Sequence, residues 1–240
     1  MKKILLLDYD HTLYPSTLPT LKAVDDRINL YIRTFLGLTA DQADATRMRL
    51  FSRHGTTLKG LQEDFGVDRD HYCDFIHAVD DDRLPPPDPA LHAWLARLPH
   101  PFYVFTNARR DWVVRGLTAM GLGGLLAKEA APPAGQGRPH AGAGASPRLH
   151  GIFDITFSDW QGKPHPPAYA KVDAHLRQRH GQDIHIHFAD DRTDNLQAAR
   201  DRGWRTIWII PHNVPAAVAG TLGFDRVLPA LTALDPDGLL

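Results

Sequence analysis

From residue 90 onward, short apolar runs without helical period alternate with segments whose apolar residues recur every three or four positions. No other feature of the chain constrains its fold as strongly. The spacing predicts strands at 102–105, 152–157, 184–189 and 206–210. It predicts helices at 90–98, 109–120, 167–180 and 193–202. Strand–helix alternation of this kind builds a parallel sheet with helices on both faces. Residues 3–8, KILLLD, supply one more strand at the start of the chain. Their unbroken apolar run suits a strand buried on both sides.

Between this first strand and residue 90 the pattern is purely helical. Leu21, Val24, Ile28, Ile32 and Phe35 fall on one stripe, and Gly37 is a natural stop. Further helices are expected at 41–53, 58–64 and 70–77, the last with Asp68 as its cap. The run Leu84-Pro85-Pro86-Pro87-Asp88-Pro89 cannot continue a helix and suits a hinge. The expected architecture is α/β: a Rossmann-like parallel-sheet core from residues 1–14 and 90–240, with a small helical domain, 15–89, inserted after the first strand. Within the core, 130–148 holds fourteen Ala, Pro or Gly in nineteen residues. It offers little apolar area to offset ordering entropy and reads as a flexible surface loop, or as a tether for a partner.

Composition excludes several classes. With 27 basic against 28 acidic side chains, there is no global field to attract a nucleic acid polymer. No apolar run approaches the ~20 residues that span a bilayer. The apolar stretch after Lys3 is too short for an export signal. The single cysteine, Cys73, rules out an internal disulfide. A cytoplasmic enzyme acting on a small molecule is the expectation, and no feature sets an oligomeric state.

Four places carry candidate chemistry, each just past an expected strand, the edge where ligands bind in open parallel sheets. Asp8 and Asp10 follow the first strand and either reach one crevice or lie on a surface turn. Thr106 and Asn107 end the next strand and either hold phosphate oxygens or cap the following helix. Lys163 stands before Pro164 and a proline-started helix, whose N-terminus adds positive potential, although a lone lysine is usually solvated. Asp190 and Asp191 form an adjacent pair with Asn195 close behind, and a hard cation such as Mg2+ would relieve their repulsion.

The joint order of these motifs, DxDxT, a hydroxyl after a strand, Lys-Pro and Asp-Asp, resembles the haloacid dehalogenase-like hydrolase superfamily over nearly the whole chain. DYDHTLYP, HGTTLKGL, FTNA and KPHPPAY are similar to its pyrimidine 5'-nucleotidase branch. His11, where that branch usually has Asn, and the 130–148 insertion depart from it. The resemblance implies a Mg2+-dependent phosphomonoester hydrolase, most readily of nucleoside 5'-monophosphates. Asp8 would be the nucleophile and Asp10 the general acid and then base. Mg2+ would be held by the Asp8 carboxylate, the Asp10 carbonyl and Asp191, with Asp190 and Asn195 orienting those ligands. Thr106, Asn107 and Lys163 would bind the transferring phosphoryl group.

The helical insert would be a cap over the crevice. Its loop with His54, Gly55, Thr56, Thr57 and Lys59 is the expected place of substrate selection, or else a plain inter-helix turn. Tyr14 would stack on a base or pack against the cap. His165 is close to the expected site. His185 and His187 share one strand face without a third ligand nearby, so zinc is not expected, and the tryptophans read as packing. The alternatives are a phosphatase of sugar phosphates or phosphoglycolate, and a non-enzymatic phospho-accepting switch resembling receiver domains. Receiver domains are about half as long and lack the helical insert.

Overall fold

A computed structural model of the chain describes residues 2–126, 149–212, 214–215 and 222–238. The loop expected at 130–148 lies outside these residues. Six strands form one sheet: β1 (Lys2–Leu7), β2 (Phe102–Phe105), β3 (Leu149–Phe153), β4 (Ile184–Asp190), β5 (Arg205–Ile209) and β6 (Arg226–Leu228). Their order is β3-β2-β1-β4-β5-β6, and every pairing is parallel. The chain winds outward from β1 in one direction and then crosses to β4 and winds the other way. The crevice at the carboxyl ends of β1 and β4 is therefore the topological switch point, where open α/β sheets bind ligands.

The central strand shows why its sequence is continuously apolar. Leu5 and Leu7 pack with Leu91 and Trp94 of α5 (Pro89–Ala96) and with Trp112, Val113 and Leu117 of α6 (Arg110–Ala119). Ile4 and Leu6 face the other side, with Tyr169, Val172 and Leu176 of α7 (Pro166–His180) and Leu196 of α8 (Thr193–Arg200). From Ile4 to Leu7 neither face of β1 meets water, so alternation would have been the wrong pattern.

The segment after β1 forms four helices, α1 (Pro19–Leu36), α2 (Ala40–His54), α3 (Thr57–Phe65) and α4 (Arg69–His77). Local signals set their ends. Thr39 and Gln42 form a capping box on α2, Thr56 accepts from the Lys59 N–H, and Asp68 accepts from the His71 N–H at 2.8 Å. Gly37, Gly55 and Gly66 end α1, α2 and α3 with positive φ. The proline run leads into α5, where Pro89 takes the first turn behind the Asp88 cap.

Two expectations need correction. The strand expected at 152–157 is β3, and it ends at Phe153 because the Asp154 carboxylate accepts from Thr156 Oγ1, the Phe157 N–H and the Arg110 N–H of α6. That turn pulls the chain out of the sheet and caps a neighbouring helix at once. The strand expected at 206–210 is not the last. The short β6 adds an edge beyond it, and three residues are too few to show a period.

Tyr9 anchors the loop that follows β1. It is fully buried, edge-on to Tyr14 at 5.4 Å between ring centroids, and it lies against Gly116 of α6. A Cβ at position 116 would sit 1.5 Å from the Tyr9 hydroxyl. Overpacking of this kind costs about 1–3 kcal/mol. Gly116→Ala is accordingly expected to lower the unfolding free energy by that amount, read as a lower urea midpoint at an unchanged m-value, and stability equal to the unsubstituted chain would show that Tyr9 is not locked there.

Candidate active site

Three strand ends and one loop converge at the switch point. Asp8 follows β1, Asp190 ends β4 with Asp191 next, and Lys163 comes from the turn before α7. The Lys163 ammonium lies 2.7 Å from Asp8 Oδ1 and 2.6 Å from Asp190 Oδ2, and it is only 1% exposed. Burial alone would weaken its hold on the proton, but Asp190 and Asp8 outweigh burial and hold the ammonium above the ordinary lysine range. Asp8 goes the other way. Burial first, then the charge of Asp190, push its carboxyl well up, and Lys163 only partly offsets them. Asp190 is raised by burial against the same pull from Lys163.

The Asp190 carboxylate is saturated. Besides Lys163 it accepts from Asn195 Nδ2, 3.0 Å from each oxygen, and from the Arg192 N–H at 2.8 Å. Trp208 Nε1 donates to the Asp191 carbonyl at 2.8 Å, which fixes the backbone of the next carboxylate. Carboxylate oxygens of Asp8, Asp190 and Asp191 lie within 4.8 Å of one another, the only cluster of metal-competent side chains among the described residues. Hard oxygen donors at this spacing fit a divalent cation such as Mg2+. Asn195 Oδ1 is buried beside them without a partner, a group that an ion-bound water would satisfy.

Asp10 is turned away from this cluster. Its Oδ1 accepts from the Tyr14 hydroxyl at 2.5 Å and from Trp112 Nε1 at 3.4 Å. Burial raises its carboxyl, and those two donors only partly counter it. Tyr14 therefore serves Asp10 and does not stack on a ligand. Trp112 in turn stacks on His77 of α4, with ring centroids 4.9 Å apart and planes 9° apart. No spacing in the sequence pointed to Trp112, since it lies 102 residues from Asp10. His11 adopts a left-handed φ of 62° and places Nδ1 3.6 Å from Asp191 Oδ2.

Thr106 Oγ1 accepts from the Ala108 N–H at 3.0 Å. The Asn107 side chain bonds the backbone of Lys163 twice, from Nδ2 to its carbonyl at 2.8 Å and at Oδ1 from its N–H at 2.6 Å. Asn107 thus holds the lysine loop in place, and capping of α6 falls to Asp154 instead.

A cavity of about 380 Å³ opens above these groups, with Asp8, Asp10, Thr106, Lys163 and Asp191 in its floor and α1 to α4 as its roof. Of the expected selection loop, Thr56, Thr57 and Lys59 line it. His54 does not: it is buried between α2 and α3, with Nδ1 2.8 Å from Glu63 and Nε2 3.4 Å from Asp64. Gly55 turns the chain at φ 80°, where a Cβ would come within 3.2 Å of His165 Nε2. His165 Nε2 lies 3.0 Å from the His54 carbonyl and 3.3 Å from Lys59 Nζ. A hydrogen on that nitrogen serves the carbonyl, so the loop docks on the core turn through His165. A larger depression of about 510 Å³, lined mainly by apolar residues such as Leu13, Ile209 and Leu231, lies beyond His11 and holds no acidic cluster. His187 is buried, and burial lowers its imidazole to about 4. No helix among the described residues is long and apolar enough to cross a membrane.

The chain matches no protein-family model and no curated sequence. Among solved structures it is similar to a haloacid dehalogenase-like hydrolase from Bacteroides fragilis, with TM-score 0.56 and 13% identity over 97% of this chain and 99% of that one. L-2-haloacid dehalogenase from Xanthobacter autotrophicus, solved with chloropropionic acid covalently bound, aligns at TM-score 0.52 and 17% identity over 99% and 97%. The magnesium-bound HAD-hydrolase YfnB of Bacillus subtilis aligns at 0.53 and 15% over 96% and 95%. The fold is thus that of the haloacid dehalogenase-like hydrolases, a Rossmann-type sheet carrying helices on both faces.

Removing the buried cation would leave two carboxylates facing each other. Lys163→Met is expected to lose roughly 3–5 kcal/mol of stability at neutral pH without divalent cations. Asp8 and Asp190 would then bind protons more tightly folded than unfolded, so the deficit should shrink as pH falls through their raised range and widen above it. Urea titrations across pH would read this, and a pH-independent deficit would count against the coupling.

Proposed function

We propose that this chain is a Mg2+-dependent phosphomonoester hydrolase acting through an aspartyl-phosphate on Asp8, with nucleoside 5'-monophosphates as its substrate class. The observation that carries the reading is the shared Lys163 ammonium between Asp8 and Asp190, with Asp191 within reach of the same cation and a second acid, Asp10, held apart. The likeness to haloacid dehalogenase-like hydrolases, one of them magnesium-bound, supports it.

Each residue has a task that its surroundings suit. The Asp8 carboxylate attacks phosphorus and the leaving alkoxide departs, which splits one hard displacement into two. Lys163 keeps Asp8 in place and offsets charge on a phosphoryl oxygen as the bond forms. Burial raises the Asp10 carboxyl, the direction that suits an acid protonating the alkoxide; the resulting carboxylate then takes a proton from the water that cleaves the acyl phosphate. Thr106 offers its hydroxyl to the phosphoryl group, and Asn107 maintains the loop that carries Lys163. Asp8, the Asp10 carbonyl and Asp191 would hold Mg2+, which when bound screens the charge between carboxylate and phosphate. Helices α1 to α4 act as the cap, excluding water from the acyl phosphate until it is to be cleaved.

Asp10 separates this reading from dehalogenation, although one structural neighbour is a haloacid dehalogenase. Halide leaves without a proton, so a dehalogenase has no use for an acid held by Tyr14 and Trp112 beside the nucleophile. A phosphomonoester leaving group needs that proton.

A phosphate-release panel over nucleotides, sugar phosphates and phosphoglycolate tests the proposal. Release is expected with Mg2+, abolition by EDTA, and recovery on adding Mg2+ back. Asp8→Asn should be inactive, and Asp10→Asn should be slower by about 10²–10⁴ with phosphoryl binding retained. Undiminished turnover by Asp8→Asn would end the proposal. Stable phosphorylation of Asp8 without turnover would favour a phospho-accepting switch.

A further inference from the structure

The floor of the cavity handles phosphate, while its roof carries a different signal. Half of the roof is apolar, with Leu21, Ile28, Phe51, Leu58 and Ile76 among its lining residues. Set into it are Asp25 of α1 and Arg47 of α2, joined by an ion pair from Arg47 Nη2 to Asp25 Oδ1. Among the described residues this is the single hydrogen bond that either side chain makes. Asp25 Oδ2 and most of the guanidinium fork remain to be used.

Stability alone explains such a pair poorly. Where it is exposed it contributes little, and where it is desolvated an apolar pair would serve as well or better. Here burial already works against the Asp25 charge, and Arg47 offsets only part of that. Asp25 and Arg47 line the same cavity as Asp191 and as His11, whose Nδ1 is 3.6 Å from Asp191.

We propose, resting on the phosphomonoester hydrolase reading above, that Asp25 and Arg47 are specificity-determining residues that read the amide-like edge of a nucleobase on the leaving group. A carboxylate oxygen beside a guanidinium presents one acceptor next to several donors. Its complement is a neutral planar group with an N–H beside a carbonyl or ring nitrogen. The apolar roof accepts the flat ring that carries such an edge. Asp25 already neutralises Arg47, so the pair offers no net charge to a second anionic group such as that of phosphoglycolate, and a bare sugar leaves the apolar wall unfilled.

The test is steady-state kinetics with Mg2+ on uridine, cytidine and adenosine 5'-monophosphates, ribose 5-phosphate and p-nitrophenyl phosphate. Asp25→Leu/Arg47→Met removes both charges together, so no unpaired ion is left buried. Its thermal midpoint is measured alongside. We expect kcat/KM for the preferred nucleotide to fall about 10- to 100-fold, as loss of charge-assisted hydrogen bonds does. The loss should lie mainly in KM. Ribose 5-phosphate and p-nitrophenyl phosphate should change less than about 3-fold, since they lack the edge. If the double variant does not fold, Arg47→Lys keeps the charge but not the planar fork and should shift the profile the same way. A parallel change for all esters, or an unsubstituted protein that does not prefer nucleotides to ribose 5-phosphate, overturns this assignment alone. An unsubstituted protein that releases phosphate from no ester overturns the hydrolase reading as well.

Discussion

One buried ammonium organises this protein. Lys163 sits between the carboxylates that end the two central strands, and without it their charges could not share a water-poor crevice. Its cost is offset only because the geometry around it is complete. Asn107 grips its backbone from β2, Asp190 is saturated by Asn195 and the Arg192 N–H, and the Phe105 and Phe188 rings flank the ammonium at 5.3 and 5.1 Å. The ends of β1, β2 and β4 are thereby tied to the same residue. A buried ion pair of this quality is weak evidence for stability and stronger evidence for chemistry.

The helical block shares one buried apolar cluster with the α5–α6 face of the sheet, and polar and aromatic contacts join the two around it. Arg109 reaches Asp74 at 2.8 Å and Asp70 at 3.4 Å on one side. On the other, the Arg192 guanidinium lies 4.5 Å from the Phe51 ring centroid, and His165 meets the His54 carbonyl. Exposed contacts of this kind are individually small and screened by salt. The larger contribution comes from the apolar cluster, in which Val24, Ile32, Leu61 and Ile76 of the helical block join Leu5, Leu7 and Trp112 of the core. His77 of α4 stacks on Trp112, which donates to Asp10, so one aromatic contact links the helical block to that carboxylate.

The elements that sequence reading located best were those with a long period or a chemical cap. The α1 stripe, Asp68 before α4 and the KILLLD strand each follow from local rules, because the forces that shape them act within a few residues. The elements it placed poorly were set by distant partners. β3 stops where Asp154 turns back to serve α6, and β6 exists because β5 offers an edge. His54 read as part of a selection loop, yet Glu63 and Asp64 draw it into the helix packing.

The carboxylates, the lysine and their order along the chain were all legible from the residues, because each lies just past an apolar strand and motif order survives in one dimension. What only the tertiary structure decided is which groups come together: that Asp190 and Asp8 share Lys163, that Trp112 and Tyr14 hold Asp10, and that Asp25 and Arg47 pair in the lining of the same cavity. Those pairings depend on the sheet order and on how the helices lie over it. Linear spacing carries no information about contacts closed by packing across a hundred residues.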